Sequence, residues 1–306
     1  MANCTTSDHN YVSPFFFINM LVILMLLLFR LVLLFIWYRP RPQCTTCYFT
    51  LNESDTALSD RVKYVDDIFQ NLSDIPKKIH VSWKTKAILS PKYDKFYIVK
   101  QGIRSLQSLN PEYELILHDD DDVHAYLRQH LSESDYKLIK SRKIVEQVDL
   151  WRLLKMYYEG GIYTDIDRLH DTPLRDVLGK PNIKCMLPIF EDTDFTQDFM
   201  ISSPGNEIHR LAIELNLQRR KSGWKGIFQL GPATYFHAAT YVLLGDYKAT
   251  SPSQLTLMQL RHIISHSKYL DTFKEFGSLQ LTYRGVPELS DKYAFYEACN
   301  VQHWMS

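Results

Sequence analysis

Apolar and polar positions divide the chain into an unbroken hydrophobic run, a polar connector and a long patterned remainder. The run is Phe15 to Trp37, interrupted by one charge at Arg30. A helix of that length crosses a hydrocarbon core of roughly 30 Å. Trp37 and Tyr38 suit the interfacial aromatic belt. A cleaved leader fits less well, because the run is long and no basic region precedes it. The reading is residues 1–14 as a short tail, 15–37 as a transmembrane anchor, 38–73 as a stem and 74–306 as the folded domain. The stem carries Pro40 and Pro42, with some helix expected around Ser59 to Leu72.

Beyond the stem the periods alternate. Lys78 to Trp83 is a short strand pattern after Pro76. Residues 94–109 have helical spacing and stop at Asn110-Pro111. Tyr113 to His118 is a compact apolar run of buried-strand type. Helical patterns with polar breaks cover 122–140. From Lys143 to Glu159, Ile144, Val148, Trp151, Leu154 and Tyr158 recur at steps of three and four. Gly160-Gly161 ends that helix. Ile162 to Thr164 is a strand ending at Asp165, Ile166 and Asp167. Further strands are expected at Lys184 to Phe190 and Phe199 to Ser202, and helices at 206–219 and 231–244. Strands alternating with helices imply an α/β fold with a mostly parallel sheet. In such sheets ligands bind beyond the carboxyl ends of strands. The Asp-rich segment stands at such an end.

Composition narrows the function classes. Lys+Arg and Asp+Glu are 35 each, so no global positive field favours nucleic acid. The five cysteines include one C-x-x-C pair, Cys44 and Cys47, which is not a paired zinc pattern. Orientation signals conflict. Arg39 and Arg41 follow the apolar run and nothing basic precedes it, which by the positive-inside rule puts the domain in the cytosol. The acceptor sequons at Asn52 and Asn71 point to a lumen.

The chemistry is concentrated between residues 149 and 167. Alternate residues of an extended segment face one side, so Asp165 and Asp167 can share a ligand. Hard divalent cations take carboxylate oxygens, and Mg²⁺ is commonly held by one or two carboxylates plus phosphates. Asp149 and Arg152, three apart, share a helix face just ahead of that strand. Arg152 offers a planar fork of donors for hydroxyls or phosphate. Read apart from their neighbours, these two form an ordinary Asp–Arg pair. Asp119 to Asp122 read as a helix start, where acidic residues are favoured. His80, His118 and His237 read as structural.

The stretch VEQVDLWRLLKMYYEGGIYTDID, Val145 to Asp167, resembles the D-x-D segment of glycosyltransferase family 32. That family includes fungal initiating α-1,6-mannosyltransferases and inositol-phosphoceramide mannosyltransferases. Ile75 to His80 with Trp83, Leu109 to Glu114, Phe199 to Pro204 and Leu230-Gly231-Pro232 resemble further blocks in the same order. The resemblance implies a GT-A-type nucleotide-sugar-binding fold and a retaining hexosyl transfer from a nucleotide-sugar donor to a glycan or lipid acceptor. It implies a divalent metal, Mn²⁺ or Mg²⁺, on Asp167, with Asp165 on the donor and reaching the metal through water. Asp149 and Arg152 would hold the transferred sugar and Trp83 would lie against the base. The terminal Gln302 to Ser306 is a partial match to a loop that would place His303 on the metal and Trp304 on the donor. The implied donor is GDP-mannose first, with UDP-sugars as alternatives, and a non-catalytic nucleotide-sugar-binding relative is the rival class. Anchor and likeness together suggest a Golgi membrane protein with a luminal catalytic domain. Oligomeric state is not legible.

Overall fold

The computed structural model describes residues 55–90, 97–166, 172–190, 194–245 and 254–272. The apolar run at 15–37, the D-x-D partner Asp167, and His303 and Trp304 lie outside them. Among the described residues, no helix is long and apolar enough to cross a membrane.

Among the described residues, six strands form the main sheet: β1 (Lys78–Ser82), β2 (Glu114–His118), β3 (Gly161–Thr164), β4 (Cys185–Leu187), β7 (Phe199–Ser202) and β8 (Leu270–Thr272). Their order is β2-β1-β3-β7-β4-β8. β1 is parallel to both β2 and β3, and β4 is parallel to β8. Only β7 runs antiparallel to its neighbours, β3 and β4. The expected mostly parallel α/β sheet is therefore present, with one reversed strand inserted. A small hairpin pairs β5 (Ile189–Phe190) with β6 (Asp194–Phe195).

The helices are α1 (Asp55–Phe69), α2 (Tyr97–Leu109), α3 (Asp120–His130), α4 (Glu133–Lys140), α5 (Ile144–Tyr158), α6 (Leu174–Val177), α7 (Glu207–Lys221), α8 (Ile227–Leu230), α9 (Pro232–Leu244) and α10 (Gln254–His266). α1 lies inside the stretch read as stem. Its Val65 and Phe69 are fully buried in the main core, so that helix belongs to the folded unit. The unit divides from the preceding residues at Glu53.

Strand alternation sorts the core into two layers. Ile79, Val81, Ile162, Phe199 and Ile201 face one layer, with Val99, Ile103 and Leu106 of α2. Tyr163, Cys185, Leu187 and Met200 face the other, against α5, α7, α9 and α10. α5 is the central helix of the second layer. From Asp149 to Met156 every residue is buried. The expected apolar stripe is thus too narrow a description: its ends, Ile144 and Tyr158, are exposed, and the middle is buried all round. A helix buried on all sides must satisfy its polar residues internally. Lys155 does so on Glu159 at the end of its own helix, and Arg220 of α7 reaches Glu146, which ties α5 to α7.

Gly160 and Gly161 turn the chain from α5 into β3 with φ of 65° and 95°. That region favours glycine. A Cβ on Gly161 would stand 2.7 Å from the Lys78 carbonyl oxygen of β1. The glycine pair therefore does more than stop the helix: it lets β3 enter the sheet flush against β1.

Candidate active site at the carboxyl end of the third strand

β3 ends at Thr164, and Asp165 is the first residue beyond it. Its backbone N–H donates to the Asp198 carbonyl at 2.8 Å, which extends the antiparallel pairing with β7 by one step. Tyr163 and Asp165 lie on the same face, two residues apart. The Tyr163 hydroxyl donates to Asp165 Oδ1, and it also bonds the side chain of Ser82 at the end of β1.

Arg152 rises from α5 into this corner. Its Nη2 lies 3.0 Å from Asp149 Oδ1, and its Nη1 lies 3.2 Å from Asp165 Oδ1. Nη1 also donates to the Gln197 carbonyl at 2.9 Å. The guanidinium stands over the Tyr163 ring, 4.6 Å from its centre. The pair expected from spacing alone is therefore part of a triad in which Asp149 and Arg152 are buried and Asp165 is partly exposed, and Arg152 is held by four groups among the described residues.

The electrostatics follow from burial. Asp149 is fully enclosed, which pushes its carboxyl up to about 6; Arg152 pulls the other way and Asp165 adds to the rise. Burial also raises the Tyr163 phenol well above its ordinary value, so it remains a donor. Asp165 is the most open of the three, with its side chain 24% exposed. Both of its side-chain contacts fall on Oδ1, leaving Oδ2 without a partner among the described residues.

That free carboxylate oxygen, at the mouth of a strand and oriented by Tyr163 and Arg152, is the type of donor a hard cation takes. Among the described residues, no group of three or more His, Cys, Asp or Glu is placed to hold a metal. The remaining expected ligands, Asp167 and His303, lie outside those residues.

Trp83 follows Ser82 at the end of β1, and its N–H donates to the His118 carbonyl at 2.9 Å. Its partly exposed indole packs on the α2 side of the sheet. Asp119 to Asp122 behave as a helix start: Asp119 and Asp122 form a reciprocal capping box on α3.

Residues 98–184 match the family model described as "Glycosyltransferase sugar-binding region containing DXD motif". The matched region spans α5, β3 and the Asp149–Arg152–Asp165 triad. Eight chains of solved structures also match. One of them, "PaToxG Glycosyltransferase", aligns with a TM-score of 0.43 and 20% identity, over 80% of this chain and 91% of that one. No curated protein matches the chain.

The sugar-binding region gains residues that sequence reading did not single out. Tyr163 bonds Asp165 from two residues earlier in the same segment, Ser82 of β1 bonds Tyr163 in turn, and Gln197 arrives through the β3–β7 pairing. Gly231, within the Leu230-Gly231-Pro232 block, borders the same corner. A Cβ there would sit 3.3 Å from Asp149 Oδ2 and 3.2 Å from Gln197 Oε1, so its backbone forms part of the wall.

Proposed function

We propose that this chain is a metal-dependent glycosyltransferase that moves a hexose from a nucleotide-sugar donor to a glycan or glycolipid hydroxyl. The observation that carries the reading is the ion-paired Asp149–Arg152–Asp165 triad at the carboxyl end of β3, inside the segment that matches the D-x-D sugar-binding region. In this reading Asp149 and Arg152 hold the hydroxyls of the transferred sugar. Asp165 faces the donor with its open oxygen. Asp165 and Asp167 would hold a Mn²⁺ or Mg²⁺ ion, which when bound would supply Lewis-acid stabilisation of the leaving diphosphate.

The reaction joins the acceptor oxygen to the anomeric carbon and breaks the bond from that carbon to the phosphate oxygen. Retention of configuration follows if the acceptor attacks on the face the phosphate leaves, with its proton passing to that phosphate. Arg152 is fixed before the donor arrives, and preorganised charge of this type is a large part of catalysis. GDP-mannose is the first donor to test, on the sequence resemblance to mannosyltransferases. The apolar run at 15–37 would hold the domain at a Golgi membrane. The exposed Asn71 sequon agrees with a luminal domain.

The test is a donor panel on the full chain in detergent: GDP-mannose, UDP-galactose, UDP-glucose and UDP-N-acetylglucosamine, each with Mn²⁺ or with chelator. Metal-dependent release of nucleotide from one donor is the expected result. Absence of binding and release for all four, with metal present and the protein folded, overturns the reading.

A further inference from the structure

α1 ends at Phe69, and the chain reverses over Gln70 and Asn71 before running on to β1. The Leu72 N–H donates to the Phe69 carbonyl at 3.1 Å, which closes a turn with Asn71 at its third position. Past the turn the side chains alternate. Leu72 packs inward on the core, close to Gly205, while Asn71 and Ser73 are exposed. Asn71-Leu72-Ser73 therefore presents outward the two residues that define a glycosylation acceptor and tucks in the one between them. The segment is also held in place. The Ser73 carbonyl accepts from Ser203 Oγ at 2.6 Å, and Asp74 pairs with Lys184 Nζ at 2.6 Å. Asn110, Asn206 and Asn216 differ: all three are buried, with side chains engaged by the backbone of Leu106, Ile208 and Leu230. The Asn71 carboxamide holds no such bond among the described residues.

We propose that Asn71 carries an N-linked glycan, at the end of the sheet opposite the candidate active site. This rests on the luminal placement of the domain and not on the donor-site reading. The topology makes room for the modification. Ser203, which bonds the Ser73 carbonyl, follows Ser202 of β7, and Ser202 pairs with Gly161, the first residue of β3. Asp165 stands past the other end of β3, a strand of four residues that spans roughly 13 Å. A bulky group on Asn71 thus leaves the Asp149–Arg152–Asp165 corner open. In the modification Asn71 Nδ2 forms a bond to the anomeric carbon of an oligosaccharide carried on a lipid diphosphate, brought by a separate luminal transferase. The bond from that carbon to the phosphate oxygen breaks, the lipid diphosphate leaves with the electron pair, and one amide proton passes to a base of that transferase. Two further acceptor patterns, Asn3-Cys4-Thr5 and Asn52-Glu53-Ser54, have their asparagines outside the described residues, and Asn3 lies on the far side of the apolar run.

The test uses the full chain translated with sealed microsomes, with Asn3→Gln and Asn52→Gln in every sample. One mobility step is expected, removable by a glycosidase specific for N-glycans. It should vanish in Asn71→Gln and in Ser73→Ala, and persist in Ser73→Thr, which keeps the hydroxyl of the acceptor pattern. The domain should resist added protease until detergent opens the vesicles. A step that survives Asn71→Gln overturns the proposal. Absence of any step in a protected domain also overturns it and leaves the luminal placement standing. Absence of a step in a domain open to protease overturns the luminal placement and the proposal together. The donor panel reads the donor-site reading separately, so a failure there does not move this result.

Discussion

Arg152 Nη1 and the Tyr163 hydroxyl meet on the same oxygen of Asp165, Oδ1, so the carboxylate is fixed from two sides through one oxygen. A consequence is testable without touching charge. Tyr163→Phe keeps the buried ring under Arg152 and removes only the hydroxyl. The expected outcome is a folded protein whose kcat falls by about tenfold while its donor KM changes less, because a misoriented ligand chiefly affects the transition state. Steady-state kinetics on the active donor measures the split.

The glycine turn makes a sharper claim about the fold. At Gly161 a Cβ would be 2.7 Å from a backbone oxygen of β1, and φ is 95°. Neither obstacle is a flexible side chain. Gly161→Ala is therefore expected to cost about 2–4 kcal/mol, the range of strained or overpacked positions. Chemical denaturation against wild type decides it. A change within about 0.5 kcal/mol, normal for an innocuous surface site, would show that β3 can shift away from β1.

Arg220 is fully buried and joins α7 to α5 through Glu146 at 2.7 Å, with a second bond to Asn216 of its own helix at 2.7 Å. Removing one member of such a pair strands the other. Arg220→Met should destabilise by about 3–5 kcal/mol, and the double variant with Glu146→Leu should recover much of that loss. Thermal or urea unfolding of the four-member cycle measures the coupling.

Acid sensitivity should come from an unexpected pair. His80 Nδ1 and His118 Nε2 are 3.1 Å apart in the core. Burial, then the neighbouring His118 and Lys155, push His80 down to about 3, with Glu159 opposing and Lys78 adding to the fall. Burial and Lys155 push His118 down to about 4, with Asp122 and Glu159 opposing. Both are neutral in the fold and titrate near 6.5 when exposed. The unfolded chain thus binds more protons below that point, so stability is complete above pH 6.5 and declines as pH falls toward 4. Asp149, raised to about 6, works with the opposite sign and stabilises as pH falls. Urea midpoints from pH 7 to 4 should decline in wild type and decline less steeply in His80→Asn. Equal slopes would remove this pair as the cause.

The legible part of the molecule was local. Helical spacing placed Asp149 and Arg152 on one face, and the Gly-Gly stop followed by Ile162 to Thr164 placed Asp165 at a strand end. What the periods could not supply was pairing. The reversed direction of β7 brings Gln197 and Asp198 to the site, and nothing in a four-residue apolar run such as FMIS specifies its direction. His80 and His118 looked solitary because the parallel β1–β2 register that joins them is a long-range relation. His237, read as structural, bonds Arg219 at 2.9 Å. The apolar spacing from Ile144 to Tyr158 correctly gives the α5 helix, but not its burial on every side, because an enclosed helix carries no clean amphipathic pattern.

The central claim is that the triad binds the sugar half of a nucleotide sugar. The most direct measurement compares the affinity of the active donor with that of its free nucleotide, in wild type and in Arg152→Lys, with Mn²⁺ present. Lysine keeps the charge and loses the planar fork. The account predicts that wild type binds the donor more tightly than the nucleotide, and that Arg152→Lys erases this increment while binding the nucleotide as before. An increment that survives unchanged in Arg152→Lys, in a protein that is otherwise folded, would contradict it.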